Sequence, residues 1–159
     1  MRYVAAFSVV LAVAAPAYGV SGFSRTAQYV ASGFSRTVQD KTVADGVYTR
    51  EQAERGKKGY AVFCGSCHAE DLSGTNSGDS GAPPLKREGF MQGSDADALF
   101  TKVRSTMPLD APGGLANSEY LDILAFIFQE NGFPAGPMPL TADAAALKAI
   151  RIVRAVARP

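Results

Sequence analysis

Five consecutive residues, Cys64-Gly65-Ser66-Cys67-His68, constrain this chain more than any other feature. They hold both of its cysteines and its single histidine in one C-x-x-C-H run. On a helical turn, two thiols three residues apart can reach the two vinyl groups of one porphyrin. The adjacent imidazole then lies beneath the iron. The run is the sequence sign of covalent haem attachment, and it implies one haem c held by Cys64 and Cys67 with His68 as an axial ligand. Three rival readings fit less well. A thioredoxin-like redox pair belongs in a strand–helix–strand context, and no such pattern surrounds the run. A structural zinc site needs four ligands, so two cysteines and one histidine would have to borrow a carboxylate. A chance match is disfavoured by how scarce both residue types are here.

The beginning of the chain reads as an export signal. Arg2 gives a short positive region, Val4 to Ala15 are mostly apolar, and Ala15-Pro16-Ala17 offers a small-x-small cleavage site, with Ala17-Tyr18-Gly19 close behind. The apolar run is shorter than the roughly 20 residues a membrane span needs. Residues 1–17 are therefore expected to be a cleaved signal peptide, and the mature chain a periplasmic, soluble protein without a transmembrane span. In that oxidising compartment a Cys64–Cys67 disulfide would be open to the chain, but the following His68 favours haem.

A single histidine rules out bis-histidine ligation within one chain. Beyond the signal the methionines are Met91, Met107 and Met138. Met107 lies in Ser105-Thr106-Met107-Pro108, where Pro108 stops a helix, so it belongs to a loop that can fold over the far face of the haem. Met91 reads as packing beneath the helix that follows it, and Met138 sits in a Pro-rich strap. Met107 is the first candidate for the sixth ligand, then Met91, then Met138.

The periodicity is helical. One helix is expected from about Thr49 to Phe63, with Thr49 and Gln52 in capping-box positions and Ala53, Tyr60 and Phe63 on its apolar side. Gly56 and Gly59 weaken it by about 1 kcal/mol each relative to Ala. A second is expected from about Ser94, as cap, to Ser105, with Leu99, Phe100 and Val103 buried. A third runs from about Asn117 to Glu130 and ends on Asn131-Gly132. Residues 69–93, broken by Gly74, Gly78, Gly81, Pro83, Pro84, Gly89 and Gly93, read as a loop around the His68 side. In the tail, Thr141 and Asp143 open an expected helix over 141–158. It gathers Ala146, Ala149, Ile150, Val153 and Val156 on one face and Lys148, Arg151, Arg154 and Arg158 on another.

Several stretches carry a family resemblance: Asp45-Gly46-Val47-Tyr48-Thr49 running into Gln52-Ala53-Glu54-Arg55-Gly56, Tyr60 before the haem motif, Ala82-Pro83-Pro84-Leu85, Met107-Pro108, Glu119-Tyr120 through Phe126, and Asn131-Gly132-Phe133-Pro134. Residues about 45–136 resemble a class I cytochrome c domain, and are especially similar to the small bacterial cytochromes that accompany quinone-cofactor (PQQ) dehydrogenases. The resemblance agrees with the all-α periodicity and implies three core helices with long loops around one haem, to which the tail's own pattern adds a C-terminal helix. It further implies that Gly56 lets the last core helix cross closely, and that His68 donates its Nδ1 proton to the Pro83 carbonyl. The expected organisation is thus a signal peptide 1–17, a leader 18–44, a cytochrome domain 45–136, and a Pro-rich strap with basic helix 137–159. In the leader, Ser21-Gly22-Phe23-Ser24-Arg25-Thr26 recurs as Ser32-Gly33-Phe34-Ser35-Arg36-Thr37.

The function so implied is one-electron transfer from a dehydrogenase or membrane complex to an oxidase or other cytochrome, with no catalytic site. The alternative is a haem protein with an open sixth position that binds gas or reacts with peroxide. The charge pattern bears on partners only. Lys and Arg number 16 and Asp and Glu 15, which does not suggest a nucleic-acid binder. The ends are more basic than the middle, so the tail's basic face could steer docking.

Overall fold

The computed structural model describes residues 41–75 and 81–153. The signal peptide, the duplicated leader segment and the last six residues lie outside them. Among the described residues the chain is mostly helical, with five helices and one short two-stranded parallel pairing. The three long helices are α1 (Arg50–Phe63), α3 (Ala96–Thr106) and α4 (Asn117–Glu130). Between the first two lies the single turn α2 (Gly65–His68).

Local chemistry sets the ends of each helix. The Thr49 hydroxyl caps α1 by accepting from Gln52 N at 3.2 Å. The reciprocal half of the capping box is not made. Gln52 is buried, and its amide bridges the main chain of Leu140: Nε2 donates to the carbonyl at 3.1 Å, and Leu140 N donates to Oε1 at 2.8 Å. This residue ties the Pro-rich strap to α1. Asp95, not Ser94, caps α3, its carboxylate accepting from Ala98 N at 2.8 Å; the Ser94 carbonyl instead accepts from Ile152 N at 2.8 Å. At the start of α4 the Glu119 carboxylate accepts from Ala116 N at 2.9 Å. Its end is a Schellman turn: Gly132 takes φ +81°, Phe133 N bonds Phe128 O, and Gly132 N bonds Gln129 O. The rings of Phe128 and Phe133 meet edge to face across it.

The packing centre is the crossing of α1 over α4. A Cβ on Gly56 would lie 1.7 Å from Asp122 O and 2.3 Å from Asp122 C, so the two backbones touch where the side chain is missing. Beside the crossing, the Arg55 guanidinium grips the Asp122 carboxylate with bonds of 2.7 and 2.9 Å. The pair is largely exposed on the arginine side and so adds little stability. Tyr48, Tyr60, Tyr120, Ile123, Leu124 and Phe128 are fully buried. Phe63, expected on the apolar side of α1, is 39% exposed.

The tail departs from expectation. Among the described residues of the tail the helical part is α5 (Ala144–Lys148), and Asp143 caps it through Ala146 N at 2.7 Å, in place of Thr141; residues 154–158 of the expected helix lie outside the described residues. The chain then enters β2 (Ile150–Arg151), which pairs in parallel with β1 (Lys41–Thr42). The cause is visible in Ile150-Arg151-Ile152-Val153: three of four residues are β-branched, and Ile150 and Ile152 are buried on either side of exposed Arg151. A period of two overrides the helical one. Ala146 is exposed, and the buried residue of α5 is Leu147. Arg151 does not join a free basic face, because it pairs with Asp95 at 3.9 Å and donates to the Gly93 carbonyl. Residues 41–44, expected in the leader, are part of the body: Val43 is 0% exposed. No helix among the described residues is long and apolar enough to cross a membrane.

Candidate functional site

Helix α1 delivers the motif. Cys64 N bonds Tyr60 O at 2.9 Å as α1 ends, then Cys67 N and His68 N both bond Cys64 O, at 3.2 and 2.9 Å. Cys64, Cys67 and His68 thereby share one turn. The two thiols are not joined; Cys64 is half-buried and Cys67 exposed. Burial, reinforced by the neighbouring Cys67, pushes the Cys64 thiol up to about 11. A disulfide-exchange enzyme needs the opposite shift. Among the described residues no group of three or more His, Cys, Asp or Glu could hold a bare metal ion.

His68 is 6% exposed, and its Nδ1 lies 2.9 Å from the Pro83 carbonyl oxygen, the hydrogen bond the resemblance implies. A carbonyl can only accept, so Nδ1 carries the proton. In the neutral form of the ring this leaves the lone pair on Nε2, which has no hydrogen-bond partner among the described residues. A nitrogen so arranged is a ready metal ligand, with its ring plane fixed by the carbonyl behind it.

The loop reaches His68 by folding back on itself. Gly74 N bonds His68 O at 2.9 Å, Thr75 N bonds Ala82 O at 3.0 Å, and Leu85 N bonds Leu72 O at 2.9 Å. Gly74 takes φ +75°, and a Cβ there would sit 2.5 Å from Ala82 O. Asn131 then anchors the loop to the end of α4. Its Nδ2 donates to Leu85 O and Ile127 O, both at 2.8 Å, and its Oδ1 accepts from Arg87 N at 3.2 Å. The sequence marks Asn131 only as part of a helix stop; its long-range tether has no local signature.

Met107 is the C-cap of α3, half-buried, with its N–H on Val103 O at 2.8 Å. Its carbonyl accepts from the Tyr120 hydroxyl at 2.7 Å. No hydrogen bond among the described residues joins Met107 to the Cys64–His68 turn. The two segments are linked through α4, where Phe126 packs on Tyr60 with ring centroids 5.3 Å apart. Met91 packs partly buried against the core, and Met138 is 66% exposed. The groups that could hold a haem are thus two thiols and a buried imidazole on one turn, with Met107 on a separate segment. Comparison with protein-family models, curated proteins and solved structures finds no match for this chain.

Proposed function

We propose that this protein is a periplasmic monohaem cytochrome c of class I type. It passes single electrons from a dehydrogenase of the quinone-cofactor (PQQ) type, or from a membrane complex, to a terminal acceptor. It has no catalytic site of its own. The observation that carries the reading is His68: buried next to two cysteines on one turn, with Nδ1 committed to Pro83 and Nε2 left to bind. When bound, haem supplies a one-electron ferric/ferrous couple. Cys64 and Cys67 would hold the porphyrin through thioethers, so that a small domain would not lose it. His68 would ligate through Nε2, and the Pro83 carbonyl keeps the imidazole from turning. The Met107 thioether would be the second protein ligand, and a soft donor there would favour the reduced state and raise the potential.

The direct test is haem retention. Protein from cells with a cytochrome c maturation system should keep its haem stain after denaturing electrophoresis. Extraction of the haem by acidified acetone would overturn the assignment.

A further inference from the structure

We infer that Tyr60 and Tyr120 are positioning residues, whose hydroxyls fix the backbone on the two sides from which the proposed axial ligands, His68 and Met107, approach. The inference rests on the haem reading above and goes beyond it to name what sets the ligand geometry.

Both rings are buried, at 2% and 1% exposure, and Phe would fill nearly the same space. A buried phenol costs free energy unless its hydroxyl is bonded, so a hydroxyl at each position calls for a specific partner. Each partner is a backbone carbonyl at a proposed ligand. Tyr60 OH donates to Ala69 O at 2.7 Å, one residue past His68. Tyr120 OH donates to the carbonyl of Met107 itself at 2.7 Å.

The Ala69 contact is unusual in what it holds. Ala69 has φ +63° and ψ 155°, a region that glycine occupies and other residues enter at a cost of about 1–3 kcal/mol. Such a conformation persists only where its surroundings enforce it. The Ala69 carbonyl is held by the Tyr60 hydroxyl and by Leu72 N at 3.2 Å. This residue decides how the chain leaves the His68 turn toward the loop that returns with Pro83. Tyr60 belongs to α1 and Tyr120 to α4, the two helices in contact at Gly56. The separation of the ligand-bearing segments is therefore referred to one helix crossing.

The test compares haem-loaded wild type with Tyr60→Phe and Tyr120→Phe. Haem staining of denatured wild type comes first, because its absence defeats the haem reading, whereas the positioning inference is judged on stained protein. For Tyr120→Phe, the ferric thioether–iron absorption band should be lost at lower pH than in wild type. Carbon monoxide should bind the ferrous protein about tenfold faster, the factor carried by one hydrogen bond of about 1.4 kcal/mol. For Tyr60→Phe, the reduction potential should shift, and adding Ala69→Gly should restore it, since glycine takes this backbone conformation without penalty. Should Tyr60→Phe fail to accumulate, the comparison is made in the Ala69→Gly background, where the inference requires the potential not to respond to Tyr60→Phe. Unchanged ligand band, carbon monoxide rate and potential in both variants, with only the melting temperature lowered, would overturn the inference and leave the hydroxyls a packing role.

Discussion

Gly56→Ala separates local propensity from tertiary contact at the helix crossing. In an isolated helix the change stabilises by about 1 kcal/mol, because alanine loses less backbone entropy on folding. In this fold the new Cβ would sit 1.7 Å from Asp122 O, 2.3 Å from Asp122 C and 2.9 Å from Ile123 N. All three are backbone atoms of α4, so no rotamer change relieves the clash. Ordinary contact begins at 3.4 Å, so the helices must part by about 1.7 Å. Overpacking of a tight core costs about 1–3 kcal/mol or more, and a rigid backbone clash belongs at the upper end. The net expectation is a loss of about 2–3 kcal/mol, or a melting temperature lower by about 8–12 °C for a domain of this size. Gly59→Ala supplies the control. Its Cβ would meet only the Ile123 side chain, at 3.2 and 3.4 Å, which can yield, so that variant should stay within about 1 kcal/mol of wild type. Urea titration followed by circular dichroism reads both. A Gly56→Ala midpoint at or above wild type would refute the close crossing and the shared frame argued from it.

Met107→Ala should lower the reduction potential and open the ferrous iron to carbon monoxide; normal spectra there, with altered ones in Met91→Ala, would assign the sixth ligand to Met91. Gln52→Leu should leave the Leu140 main-chain N–H and C=O without their side-chain partner, costing about 1–3 kcal/mol for each group left buried, and an unchanged urea midpoint would remove the strap's tie to α1. In haem-free protein, alkylation at pH 8 should label exposed Cys67 before Cys64, whose thiol is pushed up to about 11. Folding there favours the neutral Cys64 thiol, so its contribution is complete below the ordinary value of 9.0 and is lost as pH rises through about 11. Equal labelling rates, or the same alkaline stability loss in Cys64→Ala, would contradict this.

What could be read from the sequence follows the range of the interactions. The ends of α4 are legible because they are local: an apolar run, Glu119 in the first turn, and a glycine at the left-handed position. Thr49 is legible as a cap for the same reason. The outcomes that differ are settled by distant partners. Gln52 has the spacing of a capping box, but its amide bonds a residue 88 positions away. The tail has a helical face on paper, yet Ile150 and Arg151 find a parallel partner in Lys41 and Thr42. At the site, the cysteines, the histidine and the methionine are nameable from spacing and chemistry. The tyrosines that fix their backbones read in sequence as ordinary core aromatics, since nothing near Tyr120 announces that its hydroxyl reaches the Met107 carbonyl.

Helix α4 contributes no proposed ligand, yet every outlying part of the site is referred to it. Tyr120 near its start holds Met107, Asn131 at its end holds the loop at Leu85 and Arg87 close to Pro83, and its middle receives α1 at Gly56. Such a role demands that the helix not move, and its burial fits: eight of its 14 residues are buried, including the whole run Ile123–Phe128. A helix apolar on nearly every side cannot slide or turn without exposing large side chains. For the proposed carrier of single electrons this has a functional consequence. Of its two proposed ligand segments, one is bonded to α4 through Tyr120 and the other to α1 through Tyr60, each by a tyrosine hydroxyl on a backbone carbonyl at 2.7 Å, and α1 meets α4 at Gly56. A change of one charge at the iron would then meet a ligand set with little freedom to rearrange, because relaxing it would require breaking those bonds or opening the α1–α4 crossing.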